Sequence, residues 1–381
     1  MHNPDSLLPP HLRERVKGNS SSEQVAPRGA FVLYWARTAL RAHENPALDA
    51  ALTVAAHLAL PVFVYHALSE RYPYASDRHH LFILEGARDF AGELAARGIG
   101  TAFHLEREGH WGWHLRALSA QAALVVTELM PVAPLDAWTA QLRAGATPVW
   151  EVDTACVVPM PLTTQAYERA FQYRDATAAA RRACVGVTWN EVPISAAPFQ
   201  PALPFAPVDL ATADLAALVV TCRIDHAVGP VADTRSGSTA GYARWNAFVS
   251  SGRIDRYDAT RNDPTRGDGV ARMSAYLHYG MVSPLRLARE AALRTSEGAK
   301  RWLDELLVWR ELAYCFCYHR SDHAGAGALP EWRARRCTRT SMMRAGCTIG
   351  NALPAAAPVT RSGTPCSNRC SRTARSTTAC A

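Results

Sequence analysis

No stretch of eighteen uncharged apolar residues occurs in the chain, so no membrane-spanning helix is expected. The opening residues, MHNPDSLLPPHLRERVKGNSSSEQ, are polar and contain no apolar h-region. A secretory signal is therefore not expected, and a cytoplasmic location is. No GxGxxG follows the first apolar run, which sets aside the usual dinucleotide fingerprint. Among Cys156, Cys184, Cys222, Cys315 and Cys317 there is no CxxC pair. That pattern predicts free thiols and no zinc or other metal site. Evenly spread positive charge is missing as well. The formal net charge is +7, but residues 333–381 hold nine Arg and no Asp, Glu, Lys or His. Those nine exceed the whole +7 and leave residues 1–332 at −2. Any nucleic-acid surface on the body must then be a local patch and not a global field.

What is present is an ordinary globular composition, 48% apolar over 381 residues, enough for two or three domains. Short runs rich in Val, Phe and Tyr recur at 30–35, 61–67, 101–106, 123–128 and 148–153. Helical stretches rich in Ala and Leu lie between them, such as Asp77 to Arg97. This alternation predicts an α/β unit, a doubly wound parallel sheet with helices on both faces, over residues 29–158. Ligands of such sheets sit beyond the carboxyl ends of the strands, which points to Trp35, Ala36, Arg37 and Glu128. A scaffold with an empty crevice fits the same pattern.

Residues 159–235 are rich in Pro, Ala and Thr with little periodicity and read as an interdomain connection. Within it, Gln165 to Arg182 could form one helix. From Ser236 the sequence turns helical, and an all-α unit is expected over 236–332. Residues 1–28 read as a disordered leader and 333–381 as an unstructured tail.

The second half is organised around KRWLDELLVWRELAYCFCYH, Lys300 to His319. Leu303, Leu306, Leu307, Leu312 and Phe316 recur at three- and four-residue steps, a helix period with no Gly or Pro to break it. Glu305 and Trp309, four apart, stack on one face, and Arg310 follows. A carboxylate, a flat aromatic and a guanidinium together can receive a flat, partly polar ligand. An amphipathic core helix with Glu305 and Arg310 in ion pairs accounts for the same periodicity.

Just upstream runs RNDPTRGDGVARMSAYLHYGMVSP, Arg261 to Pro284. The words RNDPT, MSAYLHYGMVSP, LDELLVWRELA and FCYH, in this order and spacing, resemble the flavin-binding core of the DNA photolyase and cryptochrome family. The closest resemblance is to the class II cyclobutane pyrimidine dimer photolyases, and it runs from about Gly29 to about Trp332. It implies a Rossmann-like antenna domain over 29–158, followed by a partial helical FAD-binding domain over 236–332. It also implies light-driven repair of pyrimidine dimers in DNA by electron transfer from reduced FAD, with a second antenna chromophore of unknown identity.

The resemblance assigns roles position by position. Tyr257 is similar to a tyrosine that approaches the flavin phosphates. Ser274 matches the serine of a phosphate-binding turn, and Arg310 matches an arginine beside the flavin. Glu305 and Trp309 resemble the pair that meets the damaged bases. Ala271 departs from a usual Ser or Thr and removes one hydroxyl donor. Met273, Ala275 and Tyr279 depart from Leu, Pro and Phe, and Cys315 stands where Asn is common. A photoreceptor without lyase activity, and a flavin-free inactive remnant, remain open alternatives. The Glu305/Trp309 pair speaks against the first.

The tail speaks for the second. After Trp332 there is no aromatic residue, whereas the family continues into further helices. A basic tail that binds nucleic acid is one explanation. A shifted translation frame is another. The codons of Met342–Met343 read across their boundary give Asp, and Cys347 to Ala352 can yield Tyr-Asp-Trp-Glu-Arg. Such a change would leave the flavin pocket incomplete and the activity impaired.

Overall fold

The computed structural model describes residues 7–17, 29–194, 196–331 and 333. Expectations for the remainder of 1–28 and for the tail beyond residue 333 lie outside the described residues.

Five strands form one all-parallel sheet: β1 Phe31–Ala36, β2 Val62–Ser69, β3 Gly100–Glu106, β4 Ala122–Glu128 and β5 Val149–Val152. Their order is β3-β2-β1-β4-β5, so the winding reverses between β1 and β4. Side chains alternate across each strand. Phe31, Leu33 and Trp35 of β1 enter one core with Phe63 and Tyr65 of β2, while Val32, Tyr34 and Ala36 enter another. Both faces are covered, which is why these strands read as continuous apolar runs. Helices α1 (Pro46–Leu58) and α2 (Asp77–Ala96) supply the second core. Leu118 of α3 (His114–Ser119) and Leu142 of α4 (Leu135–Arg143) supply the first, helped by Phe199, Leu203 and Phe205 of the connection.

The leader departs from expectation between residues 7 and 17. Leu7, Leu8, Leu12 and Val16 are buried, and Arg15 donates to the carbonyls of Cys156 (2.8 Å) and Val157 (3.0 Å). Val16 bridges Val152 and so covers the outer edge of β5. Disorder fails for this stretch because four apolar side chains and one buried guanidinium tie it down. A second correction concerns 165–182. Two helices stand there, α5 (Ala170–Ala176) and α6 (Ala178–Val185), parted at Thr177, whose ψ is 1°. The Thr177 hydroxyl shares the Tyr173 carbonyl with its own backbone N–H, at 2.7 and 3.0 Å, a back-bond that bends helices. A short helix α7 (Leu215–Val220) completes the connection.

No strand lies between 240 and 320 among the described residues. Helices α8 (Ser238–Ser250), α9 (Tyr257–Thr260), α10 (Ser274–His278) and α11 (Pro284–Ala292) precede the long helical run. That run is α12 (Glu297–Asp304), a π turn (Glu305–Arg310) and α13 (Glu311–His319). Trp245 of α8 is fully buried, stacks near Trp302 of α12 (centroids 4.5 Å) and donates its indole N–H to Glu290 at 2.6 Å. One apolar core continues from the sheet to these helices.

The joint is polar and specific. Arg41, fully buried, donates to the carbonyls of Gly280 (2.8 Å) and Thr154 (3.1 Å). Gly280 has φ +59°, and a Cβ there would lie 2.2 Å from the Thr38 carbonyl oxygen, so only glycine fits. Ser283 caps α11 through the Arg286 N–H (3.2 Å) and donates to Glu44 (2.7 Å). Two segments of the MSAYLHYGMVSP motif thus hold the helical part to the end of β1. No described helix is long and apolar enough to cross a membrane.

Candidate functional site

At the reversal between β1 and β4 the side chains fill the crevice themselves. Glu128, fully buried, accepts from the Tyr34 hydroxyl at 2.6 Å and from the Arg37 backbone N–H at 3.0 and 3.1 Å. The Arg37 guanidinium lies 3.6 Å from the same carboxylate, bonds the Leu135 carbonyl and Thr139, and covers the Trp35 ring at 4.4 Å. The predicted residues therefore meet, but as a closed ion pair that ties β1 to β4.

The long helical run carries the second group. Four residues are slightly more than one α turn and slightly less than one π turn, so Glu305 and Trp309 stay on one side. Trp309 is 47% exposed and has no ring partner among the described residues. Glu305 forms ion pairs with Arg261 (2.7 Å) and Arg301 (2.9 Å). Arg261 also lies over the ring of Tyr257 at 5.7 Å. Tyr257, Arg261, Arg301 and Glu305 are thus one connected cluster where α9 packs on α12. Burial, and secondarily Glu305, raises the Tyr257 phenol, with Arg261 pulling the other way.

Arg310 stands apart from this cluster. It makes no ion pair with Glu311 or Asp304. Its guanidinium donates to the Ala155 carbonyl at 2.6 Å and the Leu277 carbonyl at 3.5 Å, and lies over Tyr314 at 4.8 Å. Asp304 instead receives Arg174 at 2.8 Å. Ser274 opens α10 and is exposed, with no side-chain hydrogen bond among the described residues. Arg310 reaches the same helix through Leu277, while no hydrogen bond links Ser274 or Arg310 to Tyr257 among the described residues. Cys315 is buried with its thiol at 3.3 Å from the Gln165 carbonyl. The five cysteines 156, 184, 222, 315 and 317 are free thiols. Among the described residues no cluster could hold a metal.

Sequence reasoning missed two residues here. Glu311, fully buried, accepts from the N–H of Val157 (2.5 Å) and Val158 (3.4 Å) and from the Tyr173 hydroxyl (3.3 Å). Burial pushes its carboxyl up to about 8. Asp153 accepts from the N–H of Ala155, Cys156 and Met160 at 2.8–3.0 Å. Two carboxylates and Arg310 therefore fix the turn at 153–160. Only the Arg301/Glu305 pair was readable beforehand, from its four-residue spacing. The Glu311 partners lie 138 to 154 residues away in the chain and leave no local trace, whereas those of Asp153 lie two to seven residues on.

The arrangement offers an exposed aromatic face, a carboxylate held by two arginines and, apart from these, an exposed hydroxyl at Ser274 and the Arg310 guanidinium. Comparison with known proteins adds to this geometry. The DNA photolyase family model matches residues 32–160. A deoxyribodipyrimidine photo-lyase of Methanothermobacter thermautotrophicus is 28% identical over 84% of this chain and 69% of its own. One from Oryza sativa is 28% identical over 80% of this chain and 61% of its own. In structure the chain is similar to a Synechocystis cryptochrome, with TM-score 0.60 and 18% identity over 80% of this chain and 64% of that one. A bacterial class III photolyase from Agrobacterium tumefaciens gives 0.57 and 17%, covering 80% and 62%. The chain thus spans roughly two thirds of the length of these proteins.

Proposed function

The chain belongs to the DNA photolyase and cryptochrome family, and from that premise we propose that it encodes light-driven repair of cyclobutane pyrimidine dimers in DNA. The observation that carries this reading is the exposed Trp309 beside Glu305 on one side of the π turn. A dimer must leave the duplex to be repaired, at a cost of a few kcal/mol, and an aromatic platform repays part of it. Trp309 supplies that platform. Glu305, kept in place by Arg261 and Arg301, bonds the polar edge of the displaced bases. Such a fixed acceptor needs no reorganisation when charge develops on the lesion.

The residues present suit FAD. The Ser274 hydroxyl is exposed and unbonded among the described residues, Arg310 reaches the Leu277 carbonyl of the same helix at 3.5 Å, and Tyr257 opens α9. Ser274 would donate to the flavin phosphates, Tyr257 would lie against them, and Arg310 would flank the ring. Reduced FAD supplies the electron for ring cleavage, the chemistry no side chain here provides. The proposal includes a second, antenna chromophore of unassigned identity, a cytoplasmic location, and weak repair by this chain because of its altered tail. Reading the alternative frame from about Arg336 should then raise flavin absorbance and light-dependent repair together. A chain that purifies yellow and active as written refutes the weak-repair part.

The lesion site has its own test. Trp309→Ala is expected to weaken binding of dimer-containing DNA by about 1–3 kcal/mol for each stacked base lost. Undamaged DNA, held through phosphates, should bind as before. Equal losses on both DNAs, measured by fluorescence anisotropy, would show that Trp309 is merely structural.

A further inference from the structure

A cleft of about 490 Å³ lies between the outer face of α8 and the turn at 267–272. It is large enough for a nucleotide-sized ligand. Ala271, just ahead of the MSAYLHYGMVSP motif, lines it, but Tyr257, Ser274, Glu305, Trp309 and Arg310 do not, so it lies apart from those residues' side chains. Its rim carries Arg235, Arg244, Arg253 and Arg272 against Asp233 and Asp268. Arg235 is paired with Glu85 at 2.9 Å, so Arg244, Arg253 and Arg272 against Asp233 and Asp268 leave an excess of one positive charge. In a body whose formal charge is −2, that is a local concentration of one sign.

The geometry keeps donors available. Arg272 binds Asp233 at 2.9 Å through one terminal nitrogen and the Gly267 carbonyl at 3.1 Å through the other. Arg244 uses one nitrogen on the Asp233 carbonyl and the Thr234 hydroxyl. Arg253 uses its Nε on Ser251 and lies over Phe248 at 5.7 Å. Each guanidinium has five N–H donors, and the bonds among the described residues use only some of them. Arg272 also has φ +51°, a left-handed conformation that a non-glycine residue holds only when its surroundings impose it. Asp233 and Gly267 hold its guanidinium at the cleft. Ala243 and Ala247 of α8 are exposed and give the cleft a small-residue floor, leaving room for a ligand.

We propose that this cleft between α8 and the 267–272 turn binds a small phosphate ester of nucleotide size, independently of any flavin. The phosphates would meet Arg244 and Arg272, whose planar forks suit phosphate oxygens. Arg253, with one face on Phe248, offers its other face for a base to stack on.

Titration calorimetry on the full chain, with ADP and inorganic pyrophosphate as probes, tests this. ADP should bind one to one, and more tightly than pyrophosphate. Arg244→Gln should weaken it about tenfold or more, the usual loss for a charged hydrogen bond. Ala243→Trp fills the cleft from an exposed helix position, leaves every arginine in place and should abolish binding. Ser274→Ala, on the flavin side, should leave ADP binding unchanged. Three results overturn the proposal: neither probe binding, Ala243→Trp binding ADP normally, or pyrophosphate matching ADP. Two more reassign the cleft. If FAD displaces ADP mole for mole, the anion site belongs to the flavin, and if a short oligonucleotide alone binds, it belongs to DNA. Because Ala243→Trp and Ser274→Ala report on different sites, failure here leaves the flavin reading standing, and failure of that reading leaves this one.

Discussion

Glu128→Ala is expected to cost the fold about 3–5 kcal/mol, the loss typical of removing one partner from a buried ion pair. The carboxylate is fully buried and satisfies the Tyr34 hydroxyl, the Arg37 backbone N–H and the Arg37 guanidinium together. Alanine leaves the buried Tyr34 phenol without its acceptor and the buried Arg37 guanidinium without its counter-charge, bonded only to Leu135, Thr139 and the residue 128 carbonyl. The loss is comparable with a large part of a domain's whole stability. Urea unfolding followed by circular dichroism measures it. Glu128→Gln, which keeps an acceptor but not the charge, should fall between wild type and alanine. A cost below about 1 kcal/mol for alanine would mean that the pair is solvated and that the crevice is open after all.

The second large effect is a dependence on pH set by Glu311. Burial is the main cause of its raised value, about 8 against an ordinary 4.5, with Asp153 adding to it. The N–H groups of Val157 and Val158 and the Arg310 guanidinium oppose the rise. Tyr173 and Cys156 face the same carboxyl and are themselves pushed up, chiefly by burial. Since the folded state holds the proton more tightly than the unfolded chain, the stabilising contribution is fully present below about pH 4.5 and is lost as pH rises to about 8. At roughly 1.4 kcal/mol per pH unit of difference, the fall is a few kcal/mol. Glu311→Gln keeps acceptor and shape without the titration. It should match wild type near pH 5, exceed it near pH 8, and flatten the curve of unfolding free energy between them. An unchanged slope in Glu311→Gln would assign the dependence elsewhere.

Several features were legible because they are local. The five strands stand within one or two residues of their apolar runs, since a strand buried on both faces must be apolar throughout. The helix expected from Asp77 to Arg97 runs Asp77–Ala96, capped by Ser76. The spacing of Glu305 and Trp309 fixed their common side, whether the turn is α or π. The words RNDPT and MSAYLHYGMVSP carried the family resemblance, and Ser283 within the second word has a local reason to be what it is, the cap of α11.

Tertiary structure alone decided the rest. Strand order β3-β2-β1-β4-β5 depends on pairings between distant segments, which hydrophobic period does not encode. The crevice at Arg37 and Glu128 is closed because two side chains reach across from neighbouring strands. Arg310 binds carbonyls of Ala155 and Leu277 and not the carboxylates near it in sequence. Residues one and six apart do not face each other along a helix, while folding brings those carbonyls to it. Glu311 reads in sequence as one more helical charge, and it becomes a buried acid only when the turn at 153–160 folds over it. The four arginines of the cleft lie up to 37 residues apart and come together only where α8 faces the 267–272 turn. In each case the deciding contact joins residues far apart in the chain. Its energy comes from burial and charge pairing after folding, not from any preference of the residues themselves.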